Sequence, residues 1–148
     1  MINLDGGWRF VHNAFDLPFD FYLKGGISRF YERGYQDDFF EGTLYVKAYW
    51  KFDFLQNRIR VGLGEGFSYA QEVPVVESDE ASDGITSKFL NYLDISADFD
   101  LGRLIRVDAL QELYIGYTIK HRSGVFGAYN SVSHGGSNYH MLTVEKNF

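Results

Sequence analysis

Cysteine is absent from the 148 residues and proline occurs only twice. Without cysteine there is no disulfide framework, no thiolate metal site and no cysteine nucleophile. That is compatible with an oxidising envelope compartment without requiring one. Long hydrophobic runs are missing too: nothing approaches the roughly 18 apolar residues of a membrane-spanning helix. Basic charge is scarce, 14 Lys+Arg against 20 Asp+Glu for a net −6 and a pI near 5.1, which argues against a nucleic-acid partner. The opening Met1-Ile2-Asn3-Leu4-Asp5 has neither the basic nor the apolar region of a signal peptide, so an exported protein would already have been processed. Charged residues at 23% and a mean hydropathy of −0.23 fit neither a disordered tail nor a helical membrane protein. The length suits a single domain over residues 1–148.

Aromatics and glycine are abundant: 14 Phe, 11 Tyr and 2 Trp make up 18% of the chain, and there are 16 Gly. The apolar pattern has period two, the signature of strands. In 42–54, Leu44, Val46, Ala48, Trp50, Phe52 and Phe54 share one face, with Thr43, Tyr45, Lys47, Tyr49, Lys51 and Asp53 on the other. In 87–100, Phe89, Leu93, Ile95, Ala97 and Phe99 oppose Lys88, Tyr92, Asp94, Ser96, Asp98 and Asp100. Segments 19–32 and 57–70 alternate likewise, and 109–123 and 138–148 supply two more strands. A seventh candidate spans about 4–15 with poorer alternation.

These segments exceed the usual 5–6 residues of a soluble strand and match the roughly 9–11 of a transmembrane one. Lys24, Lys47, Lys51, Arg60, Asp94, Asp98, Glu112 and Lys120 would crowd a small soluble core with buried charge. A transmembrane barrel accepts the same face as its polar interior and turns the apolar face to lipid. Turns at 55–57 and 101–107 read as short, and 33–41, 73–86 and 124–137 as long polar loops on the opposite rim. The chain stops at Phe148 in phase with Leu142 and Val144, resembling the terminal signal of bacterial outer-membrane barrels. The expected fold is therefore all-β: an antiparallel up-and-down transmembrane barrel, eight-stranded because bacterial single-chain barrels have even counts. The missing strand is either a second short one in the N-terminal part or one upstream. The expected location is the bacterial outer membrane.

One constellation carries chemistry. In strand 109–123 the odd positions Leu113, Ile115, Tyr117 and Ile119 face lipid, so His121 and Ser123 also point outward, at the end leading into a long loop. Positions i and i+2 lie about 6.7 Å apart on one face, close enough for an imidazole to act as base for a hydroxyl. The plain alternative is a pair of interfacial polar side chains. Glu65 falls on the apolar face between Gly64 and Gly66, where a local bulge turning it inward is the simpler reading. The acidic loop 72–83 (Glu72, Glu77, Asp79, Glu80, Asp83) is either solvated or a set of oxygen ligands for Ca²⁺ between lipid phosphates. The solvated reading is adopted, so no metal and no cofactor are expected.

The stretch Ile119-Lys120-His121-Arg122-Ser123-Gly124, its glycine-containing loop and the final strand resemble PagL-type lipid A 3-O-deacylases. Looser likeness extends to Leu90-Asn91-Tyr92 and Gly62-Leu63-Gly64-Glu65-Gly66, covering residues 18–148, with no counterpart for the family's first strand. The resemblance implies an eight-stranded outer-membrane esterase acting on lipopolysaccharide, with His121 as base and Ser123 as nucleophile on a 3-hydroxyacyl ester. The backbone N–H groups of Gly124 and Val125 would hold the oxyanion. The family's histidine-orienting Glu is replaced here by Asn138, in Gly135-Gly136-Ser137-Asn138-Tyr139. An asparagine can orient an imidazole but supplies no charge to the imidazolium. Glu65, Asn91 and His140 are accessory candidates. The rival functions are a non-catalytic barrel with a structural or adhesive role through its loops, and a soluble lipocalin-like binder. A homodimer is left open.

Overall fold

The computed structural model describes residues 1–81, 84–125, 128, 130–132 and 136–147. Seven antiparallel strands follow one another in a single sheet: β1 (Ile2–Val11), β2 (Phe19–Phe30), β3 (Phe39–Phe54), β4 (Asn57–Ala70), β5 (Phe89–Asp100), β6 (Leu113–Ser123) and β7 (Gly136–Lys146). Every neighbour in sequence is the neighbour in space, the up-and-down order expected from the alternation. Two short helices lie outside the sheet, α1 (Val75–Glu80) and α2 (Leu101–Ile105). No helix among the described residues is long and apolar enough to cross a membrane.

The sheet curls so that its polar face turns inward. Buried inside are Tyr45, Tyr49, Tyr92 and Tyr114 together with Lys24, Lys47, Arg60, Asp94, Asp98 and Lys120. These charges are paired: Lys47–Asp94 at 2.5 Å, Arg60–Asp98 at 2.6 Å and Lys120–Asp5 at 3.1 Å. Glu145 of β7 gathers Lys24 at 2.6 Å, Arg60 at 3.0 Å and the Tyr49 hydroxyl at 2.9 Å, tying the last strand to β2, β3 and β4. Gly64 leaves room for this packing, since a Cβ there would sit 2.9 Å from the Tyr45 ring. Towards the rim that carries loop 71–88, the interior is closed by Phe30 stacked on Phe39 at 4.7 Å, with Tyr139 edge-on at 5.1 Å. The outward face is apolar: Leu23, Ile27, Leu44, Val46, Val61, Leu63 and Ile95 are all exposed.

Among the described residues, the first and last strands are unpaired along their outer edges. A cavity opens between them, lined by the consecutive residues Asn3, Leu4 and Asp5 of β1 and by 141–146 of β7. Lacking a lateral neighbour, Leu4 is 79% and Leu142 88% exposed, against 44% for Leu23 and Val46 in the sheet's middle.

Several expectations are corrected. The N-terminal strand is one strand of residues 2–11, not 4–15 and not two short ones; its alternation slips at a bulge between Arg9 and Val11, which had masked the phase. Phe15, expected in that strand, lies in a 3₁₀ turn with φ +58°. The connection after β5 is no short turn: 101–112 folds into α2 and a further 3₁₀ turn, so β6 begins at Leu113 rather than 109. Asp100 caps that helix, accepting from Arg103 N at 3.0 Å, and Glu112 precedes the strand with φ +60° instead of facing the interior from within it. The hairpin turn after β3 is two residues, Leu55 and Gln56, both with positive φ, which matches the strand twist as a type I′ turn does. Phe148 lies outside the described residues.

Candidate active site

The strand register fixes which outward side chains meet. His121 is paired with Asn138 across β6 and β7, and Ser123 with Gly136. On the other side of β6, Ser123 is paired with Asn91 and His121 with Leu93. One strand further, Leu93 is paired with Glu65 and Asn91 with Phe67. Strict alternation therefore places Glu65, Asn91, Ser123, His121 and Asn138 on the same outward face, spread over β4 to β7 near the rim that carries loops 71–88 and 124–135.

His121 Nδ1–H donates to Asn138 Oδ1 at 2.9 Å. That bond fixes the tautomer and leaves the lone pair on Nε2, the nitrogen available to take a proton. Ser123 Oγ has no hydrogen-bond partner among the described residues. Gly136 lies beside the two and packs close to the Arg122 carbonyl. A Cβ there would lie 3.5 Å from His121 Cε1 and 3.6 Å from Ser123 Cβ, and 2.6 Å from the Arg122 carbonyl. Gly136 was missed in the sequence because its place beside them is one that only register defines.

Beyond Ser123 the chain leaves the sheet. Gly124 is buried against Val132, whose carbonyl would be 2.0 Å from an added Cβ, and Val125 takes φ +49°. The N–H groups of both residues donate to no turn or loop acceptor among the described residues. They stand next to the nucleophile candidate with capacity for an anionic oxygen.

Glu65 faces outward and is exposed; no bulge interrupts the pairing of β4 with β3 or β5 around it. The expectation of an inward-turning bulge is corrected. Asn91 neighbours Glu65: Nδ2 donates to Gly66 O at 3.3 Å and lies 3.5 Å from Glu65 Oε1. Asn91 is 6% exposed. His140, the remaining accessory candidate, bonds to none of these side chains among the described residues. It pairs in register with Ile119, and its Nδ1 forms a short hydrogen bond with the Tyr117 hydroxyl, the rings stacked at 5.9 Å.

The inward side chains of the same hairpin form a second cluster. Arg122 and Ser137 are register partners, each flanked along its strand by outward site residues. Arg122 pairs with Glu41 at 3.2 Å and with Glu77 at 3.6 Å, and Ser137 Oγ donates to Glu77 Oε1 at 2.5 Å. Glu77 belongs to α1, so that helix is pinned to the strands carrying the outward row. Burial pushes the Glu77 carboxyl above its ordinary range, against the pull of Arg122 and of the Ser137 hydroxyl. Of the remaining acidic residues in loop 71–88, Glu72 pairs with Lys88 at 3.0 Å, and Asp83 lies outside the described residues. Among the described residues no group of three or more His, Asp or Glu is arranged to hold a metal ion.

No protein-family model, no curated protein and no solved structure matches the chain.

Proposed function

We propose that the protein is an outer-membrane esterase of the lipid A deacylase kind, removing an ester-linked 3-hydroxyacyl chain with Ser123 and His121. The observation that carries this is the 2.9 Å bond from His121 Nδ1–H to Asn138 Oδ1, made on the outward, apolar face two residues from a serine. An apolar exterior over an ion-paired interior suits a wall against lipid, and an enzyme that deacylates lipid would carry its site on that wall.

In this reading His121 Nε2 takes the Ser123 proton as Oγ attacks the ester carbonyl, and the N–H groups of Gly124 and Val125 hold the oxyanion. The protonated imidazole then gives its proton to the departing sugar oxygen. Water, activated by the same nitrogen, splits the acyl-serine and releases the free acid. Asn138 keeps the ring oriented without adding charge. The unbonded Ser123 Oγ is no obstacle, because catalytic hydrogen bonds are often loose before substrate arrives.

The same proposal completes the barrel. With seven antiparallel strands, β1 and β7 run in the same direction, and a cavity separates their edges. One further strand, antiparallel to both, closes the ring at eight and covers Leu4 and Leu142.

A non-catalytic barrel working through its loops is the rival, and the absent Ser123–His121 bond is the observation on its side. Mass spectrometry of hexa-acylated lipid A incubated in detergent with refolded protein separates the two. Loss of one hydroxyacyl mass, abolished by Ser123→Ala, is expected. Intact lipid A and intact phospholipid esters after prolonged incubation would sink the esterase.

A further inference from the structure

Asn91 is unusual on this wall: an amide 94% removed from solvent, on the outward face, directly across from Ser123. Its nitrogen is committed to β4, where Glu65 Oε1 and Gly66 O are both acceptors. With the nitrogen held there, the carbonyl oxygen is the free end of the amide, and Oδ1 accepts no hydrogen bond among the described residues. An outward carboxylate that fixes the orientation of a neighbouring amide also accounts for the charge at Glu65.

A groove leads away from Asn91 over the outer wall. It is lined by Leu63, Glu65, Gly66 and Phe67 of β4, Val46 and Ala48 of β3, and Phe21 of β2. Three features thus follow one another across the strands: a nucleophile on β6, a hydrogen-bond acceptor on β5, and an apolar track over β4 to β2. The acceptor's strand position is about 4.5–5.5 Å from that of the serine.

We infer that Asn91, oriented by Glu65, accepts a hydrogen bond from the hydroxyl on the third carbon of the acyl chain, and that the groove beyond it takes the alkyl tail. This rests on the esterase reading and deepens it, making Asn91 the residue that selects 3-hydroxyacyl over unsubstituted acyl esters. The order of groups in such a chain is ester carbonyl, hydroxyl two carbons on, then hydrocarbon. It is the order of Ser123, Asn91 and the groove. An unsubstituted chain leaves the Asn91 oxygen desolvated and unpaired, which is how a polar site rejects an analogue lacking the matching group.

The test compares 3-O-tetradecanoyl and 3-O-(3-hydroxytetradecanoyl) glucosamine esters in detergent micelles. For the wild type, kcat/KM is expected to favour the hydroxylated ester by about tenfold, the worth of one well-made hydrogen bond. Asn91→Leu should bring the ratio close to one, and Glu65→Leu should reduce it by freeing the amide to turn. If Asn91→Leu slows both esters by one common factor and keeps the ratio, the inference is overturned while the esterase stands. If the wild type cleaves neither ester, the esterase falls, and the inference is judged by binding instead. Free 3-hydroxytetradecanoate should then shift the Asn91 side-chain amide resonance of Ser123→Ala protein where tetradecanoate does not. Equal shifts from both acids overturn it.

Discussion

Arg122 and Ser137 face each other across β6 and β7, and both reach the carboxylate of Glu77. The outward row of His121, Asn138, Ser123 and Gly136 is built on the same two strands, so α1 braces the hairpin from behind.

Because burial holds the Glu77 carboxyl above its ordinary range, the docked helix disfavours ionisation of Glu77 relative to the undocked one. Docking is strongest below the ordinary carboxylate range, weakens as pH rises from there towards the raised value, and changes no further above it. Hydrogen exchange in 71–88, corrected for its intrinsic pH dependence, should accelerate across that window and then level off. Glu77→Gln should remove the dependence. Wild-type protection that does not vary with pH would contradict the brace.

Placing a carboxylate beside the histidine should help the proposed hydrolysis. Asn138→Asp supplies the negative charge that the imidazolium lacks and should raise kcat about tenfold or more. Asn138→Ala, which frees the ring, should cost about ten- to a hundredfold. Unchanged rates in both variants would detach Asn138 from the mechanism.

Gly136→Ala tests the close packing beside the serine. The new methyl would press on the Arg122 carbonyl and meet His121 and Ser123 at contact distance. A well-folded barrel with a kcat lowered at least tenfold is expected, with circular dichroism as the check on folding. A variant as fast as the wild type would show that the strands shift without disturbing the pair.

Removing Glu145 leaves Lys24 and part of Arg60 without their counter-charge inside the sheet. Breaking a buried ion pair from one side costs about 3–5 kcal/mol. Urea unfolding of Glu145→Ala in detergent should show a loss of that order, and Glu145→Gln, which can still bond the Tyr49 hydroxyl, a smaller one. A change below about 0.5 kcal/mol, the size of an ordinary surface substitution, would mean the network reorganises around the gap.

How much of this was legible in the sequence follows from how locally each feature is encoded. Period-two alternation is a property of adjacent residues, so Leu44 to Phe54 and Phe89 to Phe99 fell on the outward face as read. So did His121, Ser123 and Asn138, whose positions follow from counting along a strand. Asn91 was singled out, but its place across from Ser123 belongs to the register of two strands. Helix α2 was hidden because Leu101, Leu104 and Ile105 read equally well as a turn with apolar ends; its Asp100 cap was the available signal. Glu77 sat among five acidic residues with nothing local to distinguish it, since the Arg122 and Ser137 that draw it inward lie 45 and 60 positions away.

The interior network also imposes an order of assembly. The partners of Glu145 lie far upstream, 121 positions away for Lys24, 96 for Tyr49 and 85 for Arg60. Hairpins β2–β3 and β3–β4 can zip from their own turns, but Lys24 gains its counter-ion only when the last of the seven strands reaches it. A chain whose strands dock from the N-terminus onward therefore holds Lys24 without its counter-ion, and Arg60 with Asp98 alone, until that final docking.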